Sequence, residues 1–303
     1  MSTTLQQELE NKENIPPENK PRPSIPRDRT FGNDLTKALS YSRELSNDPQ
    51  LLDYYSDEIY QHLKSIESLN RAKFGFMKFQ SDITEKMRSV LLDWLVEVHH
   101  KFKLTTETLF LTVNLIDRYL EKIPISRSRL QLIGVSAFLI ASKYEDIYPP
   151  EIRDLVYITD NAFTNKEILQ GEIEILKKLE YNITVPSAFR FLERLSRVAG
   201  CSEQQYALSR YLQELALVDY KMIKYSYSNL AAAAIYLMFK IKNIKPEWTN
   251  DLRRASGYTE DQLKACARDM CMLFQNANKS SLKGVKNKFS SAQFFHVANT
   301  PIL

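Results

Sequence analysis

The sequence predicts an all-α chain: two tandem helical lobes, preceded by a single helix and a disordered amino-terminal tail. Three observations carry this reading. Beyond residue 50, apolar residues recur at three- and four-residue spacing, and no segment alternates with period two for long enough to make a strand. Only seven of 303 residues are glycine, against about 7% in average proteins, so tight hairpins and glycine-rich phosphate loops have little to be built from. The helical pattern also restarts after residue 186, which divides the body in two. At 44% hydrophobic and 26% charged residues, the chain has the balance of a soluble globular protein with one or two domains.

In chain order, the first fifty residues hold six of the twelve prolines among Asn, Glu, Lys and Ser, and residues 1–48 are predicted to be disordered. Leu52, Tyr55, Ile59 and Leu63 mark a lead-in helix within 49–82. The first lobe, 83–183, contains helices over Met87 to Phe102, Leu109 to Lys122 and Ile168 to Leu179. Their predicted starts are Asp82-x-x-Glu85, Thr105-Thr106 and Thr164-x-x-Glu167. Pro149-Pro150 ends one element and starts another. The second lobe, 184–285, is expected to hold helices at 187–198, 203–218, 227–241 and 259–276, leaving 286–303 as a carboxy-terminal tail. Gly134, Ser136 and Ala137 lighten one apolar helix and Ala231 to Ala234 lighten another about 98 residues later. This echo is expected of a central helix approached closely on all sides in each lobe.

Several function classes are disfavoured. The net charge of +4 from 41 basic and 37 acidic residues is no nucleic-acid footprint, so proteins are the expected partners. Cys201, Cys266 and Cys271 have no ligand spacing and read as free thiols of an intracellular protein. The start has neither the basic residues nor the apolar run of a signal peptide, and the longest apolar run, Leu230 to Phe239, is far short of a membrane span. No catalytic motif is present, and no metal or cofactor is expected. Glu145-Asp146, neighbours on a helix, read as solvated surface rather than as an acid pair.

The informative residues are charges on apolar stripes. Arg88 continues the stripe Leu92, Leu95, Val96, His99, and Asp117 lies on the stripe Val113, Ile116, Leu120. A buried unpaired charge is expensive, so the two are expected to pair, the alternative being a snorkelling Arg and a rim Asp. Lys143 extends Leu132, Val135, Leu139, Ile140, and Glu172 stands between Ile168 and Leu176. These are either a structural pair or a polar hot spot for a partner's backbone. Met87, Val90, Leu91 and Trp94 make a second apolar face on a helix whose inward face is already supplied, which implies either full burial or display to a ligand.

At this point the residues resemble a known family. Met87-Arg88-Ser89-Val90-Leu91, Asp93-Trp94-Leu95-Val96-Glu97-Val98-His99, Glu107 to Leu111, Asp117-Arg118-Tyr119-Leu120, Leu130 to Gly134, Ala141-Ser142-Lys143-Tyr144-Glu145 and Tyr148-Pro149-Pro150-Glu151 resemble the cyclin box of B-type, mitotic or S-phase, cyclins. The match covers roughly 50 to 285, with Phe189 to Leu192, Leu212, Glu214, Leu215 and Asp219-Tyr220 in the second lobe. The resemblance implies two five-helix cyclin boxes and a non-catalytic regulatory subunit that activates a cyclin-dependent kinase. The other fold-sharing reading is a cyclin-fold transcription factor or scaffold. The cyclin resemblance implies Lys143, Tyr144 and Glu172 at the kinase interface and Arg88 with Asp117 as an internal brace. It also implies a docking patch for Arg-x-Leu motifs of substrates and inhibitors, made of Met87, Val90, Leu91 and Trp94 with Glu97, Arg127 and Gln131 at its rim. Arg194 and Arg210 fall where some mitotic cyclins gather a phosphate pocket, although Tyr206 departs from the basic residue often found there. Lys12-Glu13-Asn14 matches a KEN box, implying the anaphase-promoting complex as a partner, and Arg29 to Leu35 resembles a destruction box with a residue missing. Such a protein is expected in nucleus and cytoplasm.

Overall fold

Side chains at the helix starts decide where the chain turns into helix. The computed structural model describes residues 55–301, and its elements in this span are helical. They are α1 Ser56–Ile66, α2 Glu85–Phe102, α3 Thr106–Lys122, α4 Leu130–Glu145, α5 Ile152–Ile158, α6 Asn165–Lys178, α7 Ala188–Val198, α8 Glu203–Val218, α9 Tyr227–Ile241, α10 Asn250–Ser256, α11 Glu260–Asn276 and α12 Gly284–Phe289, with short 3-10 turns between and after them. Thr164 and Glu167 form the reciprocal capping box of α6, and Ser202 with Gln205 does the same for α8. These contacts satisfy amide donors that an isolated helix leaves orphaned.

One expected start is corrected, and a second lacks the expected side-chain cap. Thr84, rather than Asp82, caps α2 by accepting the Met87 amide; Asp82 is engaged by the backbone and guanidinium of Arg127, each at 2.8 Å. Thr105 begins α3 but makes no side-chain cap. Asp146, at the far end of α4, accepts the Thr105 amide at 3.0 Å and the Thr108 hydroxyl. It is therefore a cap for a neighbouring helix, not the plain solvated acid its sequence context suggests.

Each lobe is built round one apolar helix. In the first, α4 packs against α2, α3 and α6, and every residue from Leu132 to Ser142 is buried. In the second, α9 packs against α7, α8 and α11, and Ala231 to Ala234 are fully buried. Small side chains let the flanking helices come close, which is what the echo between Gly134–Ala137 and Ala231–Ala234 requires. The short helices α5 and α10 and the carboxy-terminal α12 carry no periodic signal long enough to announce them. The boundary expected at residue 285 falls inside α12, and Val285, Phe289, Phe294 and Val297 are buried. That segment returns to the body because it carries an apolar side of its own.

The lobes are joined by a buried charge. Arg88 has no exposed surface and donates from Nε and Nη2 to the two Asp117 oxygens at 2.6 and 2.7 Å. Its Nη1 donates to the Val218 carbonyl at the end of α8, 3.1 Å away, and Ser89 Oγ donates to the same oxygen at 3.0 Å. One guanidinium thus ties α2, α3 and α8. Helix α1 lies on the second lobe, with Lys64 Nζ donating to the Ser256 carbonyl at 2.7 Å and Tyr60 edge-on to Phe191 at 5.3 Å.

Because Arg88 leaves Asp117 buried and unpaired when removed, Arg88→Met is expected to destabilise the protein by about 3–5 kcal/mol. The double variant Arg88→Met, Asp117→Leu should recover part of that loss in urea titration, and a double variant as unstable as the single one would contradict the brace. A second expectation concerns pH. His99 donates from Nε2 to the Thr105 carbonyl at 2.7 Å, and burial, reinforced by the positive charge of Lys288, pushes its pKa down to about 3. Below about pH 6.5 the unfolded chain takes up a proton that the fold refuses, so stability falls with falling pH by up to about 1.4 kcal/mol per unit. His99→Gln should flatten that slope between pH 6.5 and 5, and parallel slopes for the two proteins would show that another group sets it.

Candidate functional site

Among the described residues no group of three His, Cys, Asp or Glu is arranged to hold a metal. The thiols are free, and burial pushes Cys201 up to about 12 and Cys266 higher still, away from the low pKa of a reactive thiolate.

Lys143, in the last turn of α4, reaches Glu172 on α6, its Nζ lying 2.8 and 2.9 Å from the two carboxylate oxygens. The pair sits at the surface, Lys143 being 44% and Glu172 13% exposed along the side chain. Its position depends on Gly171, where a Cβ would come within 3.1 Å of Ser136 Cβ and collide with its hydroxyl. The missing side chain therefore lets α6 lie close on α4 and brings Glu172 within reach of Lys143. Around the pair is a collar of exposed apolar side chains. Leu169 and Ile173 are on the outer face of α6, Tyr144 and Tyr181 flank the linker to the second lobe, and Ile147 and Tyr148 are 88% and 73% exposed. Tyr144 is steadied by a 2.5 Å hydrogen bond between its hydroxyl and Thr184 Oγ1. Sequence reasoning named Lys143, Tyr144 and Glu172 but not Ile147, Tyr148, Leu169, Ile173 or Tyr181. The available signal was a second apolar stripe on α6, Leu169 and Ile173, beside the buried stripe of Ile168 and Ile175.

A cavity of about 110 Å³ between the lobes is lined by Glu107, Glu145, Arg190 and the Arg88–Asp117 pair, among others. Arg190 meets Glu107 at 3.1 Å and Glu193 at 3.2 Å. Burial, with the negative charge of Glu107 adding to it, raises the Glu145 carboxyl above the usual range.

The second face of α2 is partly open. Val90 is exposed, Met87 and Trp94 are half-buried, and Glu97 and Arg127 are exposed with Gln131 half-buried at the start of α4. Leu91 differs from the display expected of it: it is buried, lying over Gly134 of α4, so it supports this face from beneath. Arg127 stands at the rim with its guanidinium bound to Asp82.

Arg194 and Arg210 have separate partners. Arg194 pairs with Asp57 of α1 and lies over the Tyr60 ring at 5.1 Å. Arg210 donates to Thr106 Oγ1 at 2.8 Å and lies among the rings of Phe189, Tyr206, Phe289 and Phe294, 5.4 to 6.0 Å away. The latter is an internal bridge to the first lobe, with its charge already stacked and hydrogen-bonded. Lys12-Glu13-Asn14 and Arg29 to Leu35 lie outside the described residues.

Comparison with known proteins finds two family matches along the chain. A family model for the cyclin N-terminal domain matches residues 58–184, and one for the cyclin C-terminal domain matches residues 186–303. The G2/mitotic-specific cyclin-B of Marthasterias glacialis is 39% identical over 301 residues, covering 96% of this chain and 77% of that protein. The Cyclin-B2-1 of Oryza sativa subsp. japonica is 42% identical over 255 residues, covering 84% of this chain and 61% of its own length. Among solved structures, a viral cyclin from herpesvirus saimiri superposes with a TM-score of 0.63 at 24% identity, covering 71% of this chain and 97% of the viral one, a likeness of fold.

Proposed function

This chain belongs to the cyclin family, its relatives being B-type cyclins, and from that premise we propose that it is the regulatory subunit that switches on a cyclin-dependent protein kinase during the cell cycle. It is not itself a catalyst. The observation that carries the reading is the Lys143–Glu172 pair within its collar of exposed apolar side chains. A rigid surface of this make-up, with apolar area round a few polar groups, is what a partner helix or loop requires to be held in one position. Protein kinases need the ion pair between a strand lysine and a glutamate of the C-helix, and a cyclin that binds only the inward position of that helix shifts the population to the active state. Moving an equilibrium from 1:99 to 99:1 takes about 5.5 kcal/mol of differential binding, within reach of an interface of order 2,000 Å² or more.

Two finer roles belong to the same proposal. The open face of Met87, Val90 and Trp94, backed by Leu91 and rimmed by Glu97, Arg127 and Gln131, takes substrates and inhibitors bearing Arg-x-Leu, with Glu97 facing the arginine. Lys12-Glu13-Asn14 serves as a KEN degron for the anaphase-promoting complex, which times the loss of the protein.

The activation role is tested by the double variant Lys143→Ala, Glu172→Ala. Being a surface pair, its loss should change stability by no more than about 1 kcal/mol, while kinase activity captured with the protein from dividing cells should disappear. Full activation by a folded double variant would overturn the interface. For the degron, alanines at 12–14 should prolong the protein's lifetime as cells leave mitosis, and an unchanged half-life would remove that role.

A further inference from the structure

The helix face that carries the docking residues also carries Asp93. Val90, Asp93, Trp94 and Glu97 follow one another at i, i+3, i+4 and i+7, so they share one side of α2. Asp93 is held from the other end of the chain. Its Oδ1 accepts the Gly284 amide at 2.9 Å and its Oδ2 the Lys283 amide at 3.0 Å, so a residue of the first lobe caps α12. The seating is close: a Cβ on Gly284 would lie 2.5 Å from the Asp93 carbonyl oxygen, 3.1 Å from Oδ1 and 3.2 Å from Glu97 Cγ. The glycine backbone is therefore packed directly against the stem of Glu97.

The far end of this strap is anchored by a buried ion pair. Lys288 Nζ donates to both Glu214 oxygens at 2.8 and 2.7 Å, and the two side chains are 3% and 1% exposed. A charge buried in that way does not leave its partner without a large penalty, so the segment has one seat. Lys283 turns its ammonium to the Ala277 and Asn278 carbonyls, 3.3 and 2.8 Å away. Among the described residues no cation pairs with Glu97, whose side chain is exposed beside half-buried Trp94.

We propose that the carboxy-terminal strap is a specificity element of the docking face: Gly284, locked onto α2 by Asp93, fixes the Glu97 stem so that its carboxylate is held ready for the basic residue of a docking peptide. Gly284 and Asp93 are positioning residues; only Glu97 meets the ligand. A glutamate held in its bound rotamer gives up less freedom on binding, which strengthens the charged contact without adding to the apolar one. The inference rests on the docking role proposed above.

The test uses the full chain in complex with its kinase and two fluorescent peptides that differ only in carrying arginine or citrulline before x-Leu. Citrulline keeps the shape of arginine and removes its charge. The unaltered complex should prefer the arginine peptide, and Glu97→Gln should erase that preference. Gly284→Ala should cut it on the order of five-fold, with citrulline-peptide affinity and phosphorylation of a generic peptide unchanged, and should add nothing to Glu97→Gln. If Glu97→Gln erases the preference and Gly284→Ala leaves it intact, or weakens both peptides equally, the strap has no such role. If Glu97→Gln itself leaves the preference intact, the docking reading fails instead. Should Gly284→Ala not fold, Asp93→Asn, which keeps one acceptor, is measured in the same way and judged by the same outcomes.

Discussion

One buried guanidinium sets the geometry of this molecule. Two helical bundles could meet along an apolar seam in many ways, because apolar contact has little direction. Arg88 removes that freedom. Its fork is complementary to the Asp117 carboxylate and its remaining donor to the Val218 carbonyl, and only one disposition of α2, α3 and α8 satisfies all three at once. Such a contact adds less net stability than its number of bonds suggests, since desolvation opposes it, but every alternative packing would strand a charge in the core. Tyr220 extends the device: it lies 5.9 Å from the guanidinium and its hydroxyl accepts the Gly75 and Met77 amides at 2.9 and 3.2 Å. The segment joining α1 to the first lobe is thereby drawn into the same junction.

Rigidity of this kind is what a non-catalytic activator needs. Lys143 and Glu172 come from different helices, and their separation is set by the α4–α6 contact at Ser136 and Gly171 rather than by the flexible ends of the side chains. Ser136 also donates to the Ile168 carbonyl at 3.1 Å, which fixes the axial register of α6. The exposed Ile147 and Tyr148 would each be worth about 1.5–3 kcal/mol when buried by a partner. Ordering these exposed side chains on binding costs part of that gain, and the remainder survives as binding free energy.

Much of this was legible in the sequence for a physical reason. A charge on an apolar stripe breaks the pattern that burial imposes, so Arg88 and Asp117 stood out, and the long helices showed themselves through repetition at helical period. What escaped notice is non-local or short. Asp146 reads as a solvated acid until α3 is seen to start beside it. Asp82 looks like a cap until Thr84, two residues on, is seen in that role. Helices α5 and α10 have seven residues each, too few to display a period. Helix α12 owes its place to Asp93 and Glu214, 190 and 74 residues away in sequence, and no local pattern encodes that. Of the proposed kinase-facing surface, Lys143, Tyr144 and Glu172 were legible and the rest of the apolar collar was not, because Ile147 and Tyr148 lie where helix periodicity has ended.

The internal echo suggests two equivalent lobes, yet the proposed recognition surfaces are distributed unequally. The Lys143–Glu172 collar and the open face of α2 both belong chiefly to the first lobe. The second lobe acts on them from behind: the Val218 carbonyl accepts from Arg88, the Lys283 and Gly284 amides donate to Asp93, and Arg210 donates to Thr106 at the start of α3. Each of these contacts reaches a helix that carries or supports a surface residue, and each uses a hydrogen bond whose geometry is directional. The second bundle is here a buttress. Its core no longer has to present a binding face, and its edges are free to immobilise the faces of its neighbour.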